Sequence, residues 1–270
     1  MTTSRDAAPG SLLRSTAAEF SKFYAFRIPQ IAYASIAAFL LLFVIELFYV
    51  EGVVSGTSTV TDVIFYLFFD SWKTIFFQLF VIAFSAYCIA VDSQYGMIRI
   101  GCTQPVSRTQ YLLAKSIAIE LHVALFTLVY VASLLMWVCI CTRFRGLSAT
   151  ELPALASLAA RTVVFCCGLS GCMIGVSTLR KSLLDAFVCC CVVFVGFFFL
   201  AMLPKRYHLQ PALFVRYIFY PVAGILPKGW SIPIPMKDAP LWQFLLVSLV
   251  TPAVCFLPAL VYFHFRDISE

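Results

Sequence analysis

Long apolar runs alternate with short polar connections along most of this chain. Six runs stand out: Ile31 to Val50, Trp72 to Val91, Ile117 to Cys141, Ala154 to Leu179, Leu183 to Leu203 and Leu241 to Phe265. As a helix, a run of roughly 20 residues matches the hydrocarbon thickness of a bilayer. The pattern therefore predicts an all-α polytopic membrane protein with six transmembrane helices. Its parts are a cytoplasmic N-terminus over residues 1–30 and one six-helix membrane domain over residues 31–270. Ser11 to Arg27 mixes apolar positions (Leu12, Leu13, Phe20, Phe23, Tyr24) with Arg14, Lys22 and Arg27. That mixture predicts an interfacial helix, with an ordinary polar lead-in to the first span as the other reading. Residues 204–240 are apolar but interrupted by Pro211, Pro221 and Pro227. They predict a re-entrant segment or outer cap before the last helix, because irregular backbone at membrane depth needs protein or water around it.

Composition sharpens this picture. The chain is 62% hydrophobic and only 12% charged, with mean hydropathy +0.95, which excludes an ordinary soluble domain. The net charge of +6 is spread along the chain, so no nucleic-acid partner is expected. The polar N-terminal stretch lacks the form of a cleaved signal peptide. There is no Asn, hence no N-glycosylation sequon. Arg5, Arg14, Lys22 and Arg27 precede the first apolar run, while Glu51 to Ser71 holds no Lys or Arg. The positive-inside rule then places the N-terminus in the cytoplasm, and counting spans places the C-terminus there too. Later outer segments also carry basic residues, so the rule is clear only for the first hairpin.

Residues 92–115 hold most of the specific polar chemistry. About two dozen residues connect the second and third runs, where a few would suffice. They include Gly96, an Ile98-Arg99-Ile100 step, and the turn Pro105-Val106-Ser107-Arg108. Ser107 or Thr109 can cap the helix that follows. The pattern describes a short helix, a bend and a new helix at the cytoplasmic face. Asp92, Gly96, Arg99, Pro105, Val106, Ser107, Arg108, Leu112-Leu113 and Lys115 resemble the cytoplasmic coupling region of type-2 ABC exporter permeases. Phe265-Arg266-Asp267-Ile268 resembles that family's closing motif. The chain departs from the family's pattern at Asp92, Gln94, Met97 and Gly101.

The resemblance implies a permease subunit that pairs with a second permease copy or close homologue. It also implies a separate cytoplasmic ABC ATPase that carries ATP and Mg. This chain has no Gly-x-x-x-x-Gly-Lys-Ser/Thr loop, so it is expected to be non-catalytic, with no cofactor of its own. Arg99 and Arg108 are the candidate ATPase contacts, or else basic residues attracted to lipid phosphates. The expected setting is a bacterial cytoplasmic membrane, and the expected cargo a lipid, a drug or another amphipathic molecule. The alternative is an ATPase-coupled anchor that moves an outer-face partner without bulk transport.

Other features are weaker. Gly168, Gly171 and Gly175 form a small-residue stripe that suits close helix packing, within the chain or between two chains. Glu46, Glu120 and His122 are ionisable groups in or near spans, expected near the membrane interface. Cys172 with Met173, and Cys189 with Cys190, fall at similar depth on adjacent spans. Such ligands suit Cu(I), although buried free Cys is the commoner case and no metal is expected. Pro252 and Pro258 should loosen the last span.

Overall fold

The computed structural model describes residues 10–25, 28–47, 60, 73–94, 107–143, 152–202 and 241–265. Among these residues the protein is helical, with no strand. Its helices are α1 (Gly10–Ala25), α2 (Ile28–Leu47), α3 (Lys73–Gln94), α4 (Arg108–Cys141), α5 (Leu152–Thr178), α6 (Leu183–Met202) and α7 (Leu241–Phe265). Three stretches among the described residues are long and apolar enough to cross a membrane: Phe77–Gln94, Arg108–Cys141 and Ala159–Thr178. The residues of the outer cap, 204–240, lie outside the described residues, as do Gly96, Arg99, Pro105 and Val106.

α4 shows why this is a membrane protein. Tyr111, Lys115, Ile119, His122, Phe126, Tyr130, Leu134 and Val138 recur every three or four residues and are all buried. They form the inward stripe of a helix with 3.6 residues per turn. The opposite face carries Leu113, Ile117, Leu121, Leu128, Met136 and Ile140, all exposed. A helix in water would put polar residues there. Apolar side chains on both faces require an apolar surround. α7 repeats the pattern, exposing Leu249, Val254, Leu257, Val261 and Phe265.

The helix that Ser107 or Thr109 was expected to cap is α4, and it continues through the third apolar run. It starts at Arg108, nine residues before the apolar run at Ile117. Ser107 is its N-cap, in extended backbone, and its hydroxyl accepts from the Gln110 N–H at 3.2 Å. The cap satisfies one of the orphan donors at the helix start. The polar first turns are helical because their polar groups find partners in the bundle.

α5 is the hub and touches α3, α4, α6 and α7. Lipid tails are as apolar as Leu, so burial from water does not drive this assembly; close packing and interhelical hydrogen bonds do. Ser85 on α3 donates to the Val81 carbonyl (2.7 Å), leaving Ser170 on α5 to donate to Ser85 at 2.9 Å. The rings of Phe77 and Tyr130 stack 4.1 Å apart between α3 and α4. The α5–α7 contact is closer still. A Cβ on Gly175 would lie 2.6 Å from the Cys255 carbonyl oxygen, and one on Gly171 would lie 2.8 Å from the Pro252 Cβ. Both glycines therefore face a helix of the same chain, and Gly168 is buried on α5 beside them.

α1 does not lie apart from the bundle. It packs along α4 and touches α2, turning Phe20 and Phe23 inward. Its polar side keeps Lys22 paired with Glu19.

Candidate functional site

Two polar places stand out in an otherwise apolar bundle. The first is at the end where α3 stops and α4 starts. Asp92, in the last turn of α3, accepts hydrogen bonds from the Lys115 ammonium and the Tyr111 hydroxyl of α4. Lys115 and Tyr111 are one helical turn apart, so they present two donors to one carboxylate. The Lys115 side chain is 5% exposed and that of Asp92 17%. Such a pair is held together because separating it would strand a buried charge.

Asp92, Tyr111, Lys115, Ser177, Arg180 and Phe263 border one small cavity. The ends of α3, α4, α5 and α7 are thus gathered at one pole. Arg180 also reaches Asp185 at 3.7 Å, an exposed pair worth little.

Four of the residues singled out for coupling are therefore visible. Asp92 and Lys115 are joined to each other. Ser107 caps α4. Arg108 is half-buried in the first turn. The bond between Asp92 and Lys115 was not legible, since it spans 23 positions; the acid-to-lysine spacing across a capped turn was the available signal.

The second place lies along α4. Glu120 and His122, expected near the interface, are both enclosed by protein. The reason is tertiary: neighbouring helices cover them. His122 has no exposed surface. It is ringed by Phe20, Phe23 and Tyr24 of α1, Phe84 of α3 and Phe126 of α4, with centroids 4.0 to 6.3 Å away. Its Nδ1 lies 2.8 Å from the Ala118 carbonyl. A carbonyl only accepts, so Nδ1 carries the hydrogen. His122 is thus the peg on which α1 docks.

Glu120 faces the other way, toward α5 and α7. Its Oε1 lies 3.5 Å from the place a Cβ on Gly171 would occupy. Ser170 and Cys167 stand beside the carboxyl. However, the hydroxyl of Ser170 is engaged with Ser85, and the thiol of Cys167 is directed at the backbone carbonyl of Glu120, 3.9 Å away. Both carboxyl oxygens are shielded from solvent and make no hydrogen bond among the described residues.

The cysteines do not assemble as their depths suggested. Cys172 meets Cys255 of α7. Cys190 meets the hydroxyl of Ser177 at 3.3 Å, and Cys189 is directed at Asp185 on its own helix. Successive residues of a helix point about 100° apart, so Cys189 and Cys190 cannot both face α5. No group of three or more potential metal ligands occurs among the described residues.

No family model, no curated protein and no solved structure matches this chain.

Proposed function

We propose that this chain is the membrane-spanning subunit of an ATP-driven exporter, paired with a second permease copy or close homologue and with a separate cytoplasmic ABC ATPase. In this reading α2 to α7 are six spans, both termini are cytoplasmic, and the membrane is the cytoplasmic membrane of a bacterium. ATP and Mg belong to the ATPase. An amphipathic cargo, a lipid or a drug, suits the apolar walls.

The observation that carries the reading is the joint between α3 and α4. The residues resembling a coupling region begin at Asp92 and end at Lys115, and these two are bonded to each other. The connection between them therefore hangs from a fixed base. A push on it passes into α3 and α4 together, which is what a coupling segment needs. α4 carries the push on through 34 helical residues without a proline.

The test is co-purification. Tagged protein extracted in mild detergent should bring down an ATPase containing a phosphate-binding loop. The Arg99→Glu/Arg108→Glu variant should lose that ATPase while staying folded and dimeric. If no ATPase accompanies the folded wild-type dimer, the exporter reading fails, and an anchor acting on an outer-face partner becomes the better account.

A further inference from the structure

A groove of about 480 Å³ runs between α4, α5 and α7 on the outer flank of the bundle. Its walls are almost wholly apolar, built from Ile117, Leu121, Ile174, Pro252 and Phe256. Among the described residues, Glu120 is the one acidic residue that lines it. Ligand sites commonly enclose 300 to about 1,000 Å³ and pair apolar walls with a few polar groups that fix orientation. This groove has that size and that ratio.

Helix packing does not explain Glu120. An apolar residue would fill the same space, and a carboxyl buried without a partner is costly. The neighbouring donors are already committed: Ser170 to Ser85, and Cys167 to a backbone carbonyl. Lys115, the cation five residues before it on the same helix, is taken by Asp92. The carboxyl is thus a strong hydrogen-bonding group with no hydrogen-bond partner among the described residues. The wall beside it is open toward the lipid-facing side, where Ile117 and Leu121 are exposed.

The geometry points to this groove as a binding site for a hydrophobic amine: a compact apolar body with a single basic nitrogen, entering from the lipid phase. The body lies against Ile117, Leu121 and Phe256. The nitrogen meets the carboxyl of Glu120 as the side chain turns from its shielded seat into the groove, and with the proton on nitrogen the two form an ion pair joined by a charge-assisted hydrogen bond. An alcohol of the same shape gains less, because it takes no proton from the carboxyl and forms no ion pair. The site sits within one chain and does not depend on an ATPase docking at residues 92–115.

The test uses full-length protein in nanodiscs and radiolabelled N,N-dimethyldodecylamine as the probe, with empty nanodiscs subtracted. Wild type should bind the amine saturably, and unlabelled dodecanol should compete poorly. Glu120→Gln keeps the side chain's shape and should weaken amine binding about tenfold or more. Ala124→Phe, which fills the groove from its lipid side, should weaken it as well and covers the case in which the Gln variant fails to fold. Dodecanol competing as well as the unlabelled amine would overturn the proposal. So would non-saturable binding, or unchanged amine affinity in a folded variant of either kind.

Discussion

Replacing Gly175 with leucine should prevent α5 and α7 from closing and leave little folded protein after detergent extraction. A Cβ at this position would stand 2.6 Å from the Cys255 carbonyl oxygen and 2.8 Å from its carbon. Both are backbone atoms, so no side-chain rotation relieves the clash and one helix must move away. α7 packs mainly on α5 and touches α4 less extensively. Displacing it therefore removes most of what holds it. Even alanine should cost about 1–3 kcal/mol as overpacking. Gly196 on α6 is the control, because a Cβ there meets nothing within 4 Å. Gly196→Ala should be neutral or stabilising by about 0.5–1 kcal/mol through helix propensity. Thermal unfolding of the three variants by gel filtration checks this, and equal melting of Gly175→Ala and Gly196→Ala would show that the α5–α7 contact is slack.

Lys115→Met should destabilise the bundle by about 3 kcal/mol, the low end for breaking a buried ion pair, since Asp92 keeps some contact with solvent. Among the described residues, Tyr111 alone then holds the carboxylate. The double variant Asp92→Leu/Lys115→Met should recover most of that loss, because apolar residues of similar volume replace such pairs at little cost. A double-mutant cycle on unfolding midpoints reads the coupling directly. A double variant no more stable than Lys115→Met would mean that the two groups act independently.

These expectations rest on contacts that local sequence pattern reveals unevenly. Apolar runs located α7 at Leu241–Phe265, where it is found, and placed α5 and α6 within two residues of their ends. Hydrophobicity reports such segments directly, since no competing element uses so long an apolar stretch. For α4 the apolar run began only at Ile117, while the expected cap at Ser107 announced the start of the helix. Its helical state depends on the cap at Ser107 and on Asp92, which lies on another helix. The glycine stripe announced a close approach but not its partner, α7, because one helix face carries no record of what covers it. Glu120 and His122 were set near the interface on span position alone. Their enclosure comes from α1 on one side and from α5 with α7 on the other. The cysteines were matched by depth, whereas azimuth around each helix decides which thiols meet.

Glu120 and His122 are two residues apart on α4, so they project about 200° from each other around its axis. One is gripped by the aromatic ring of α1, the other lies over Gly171 and Pro252. Spinning α4 in either direction would drag both groups off their seats at once. The helix is keyed against torsion on opposite flanks, with the Asp92 joint as a third key near its start.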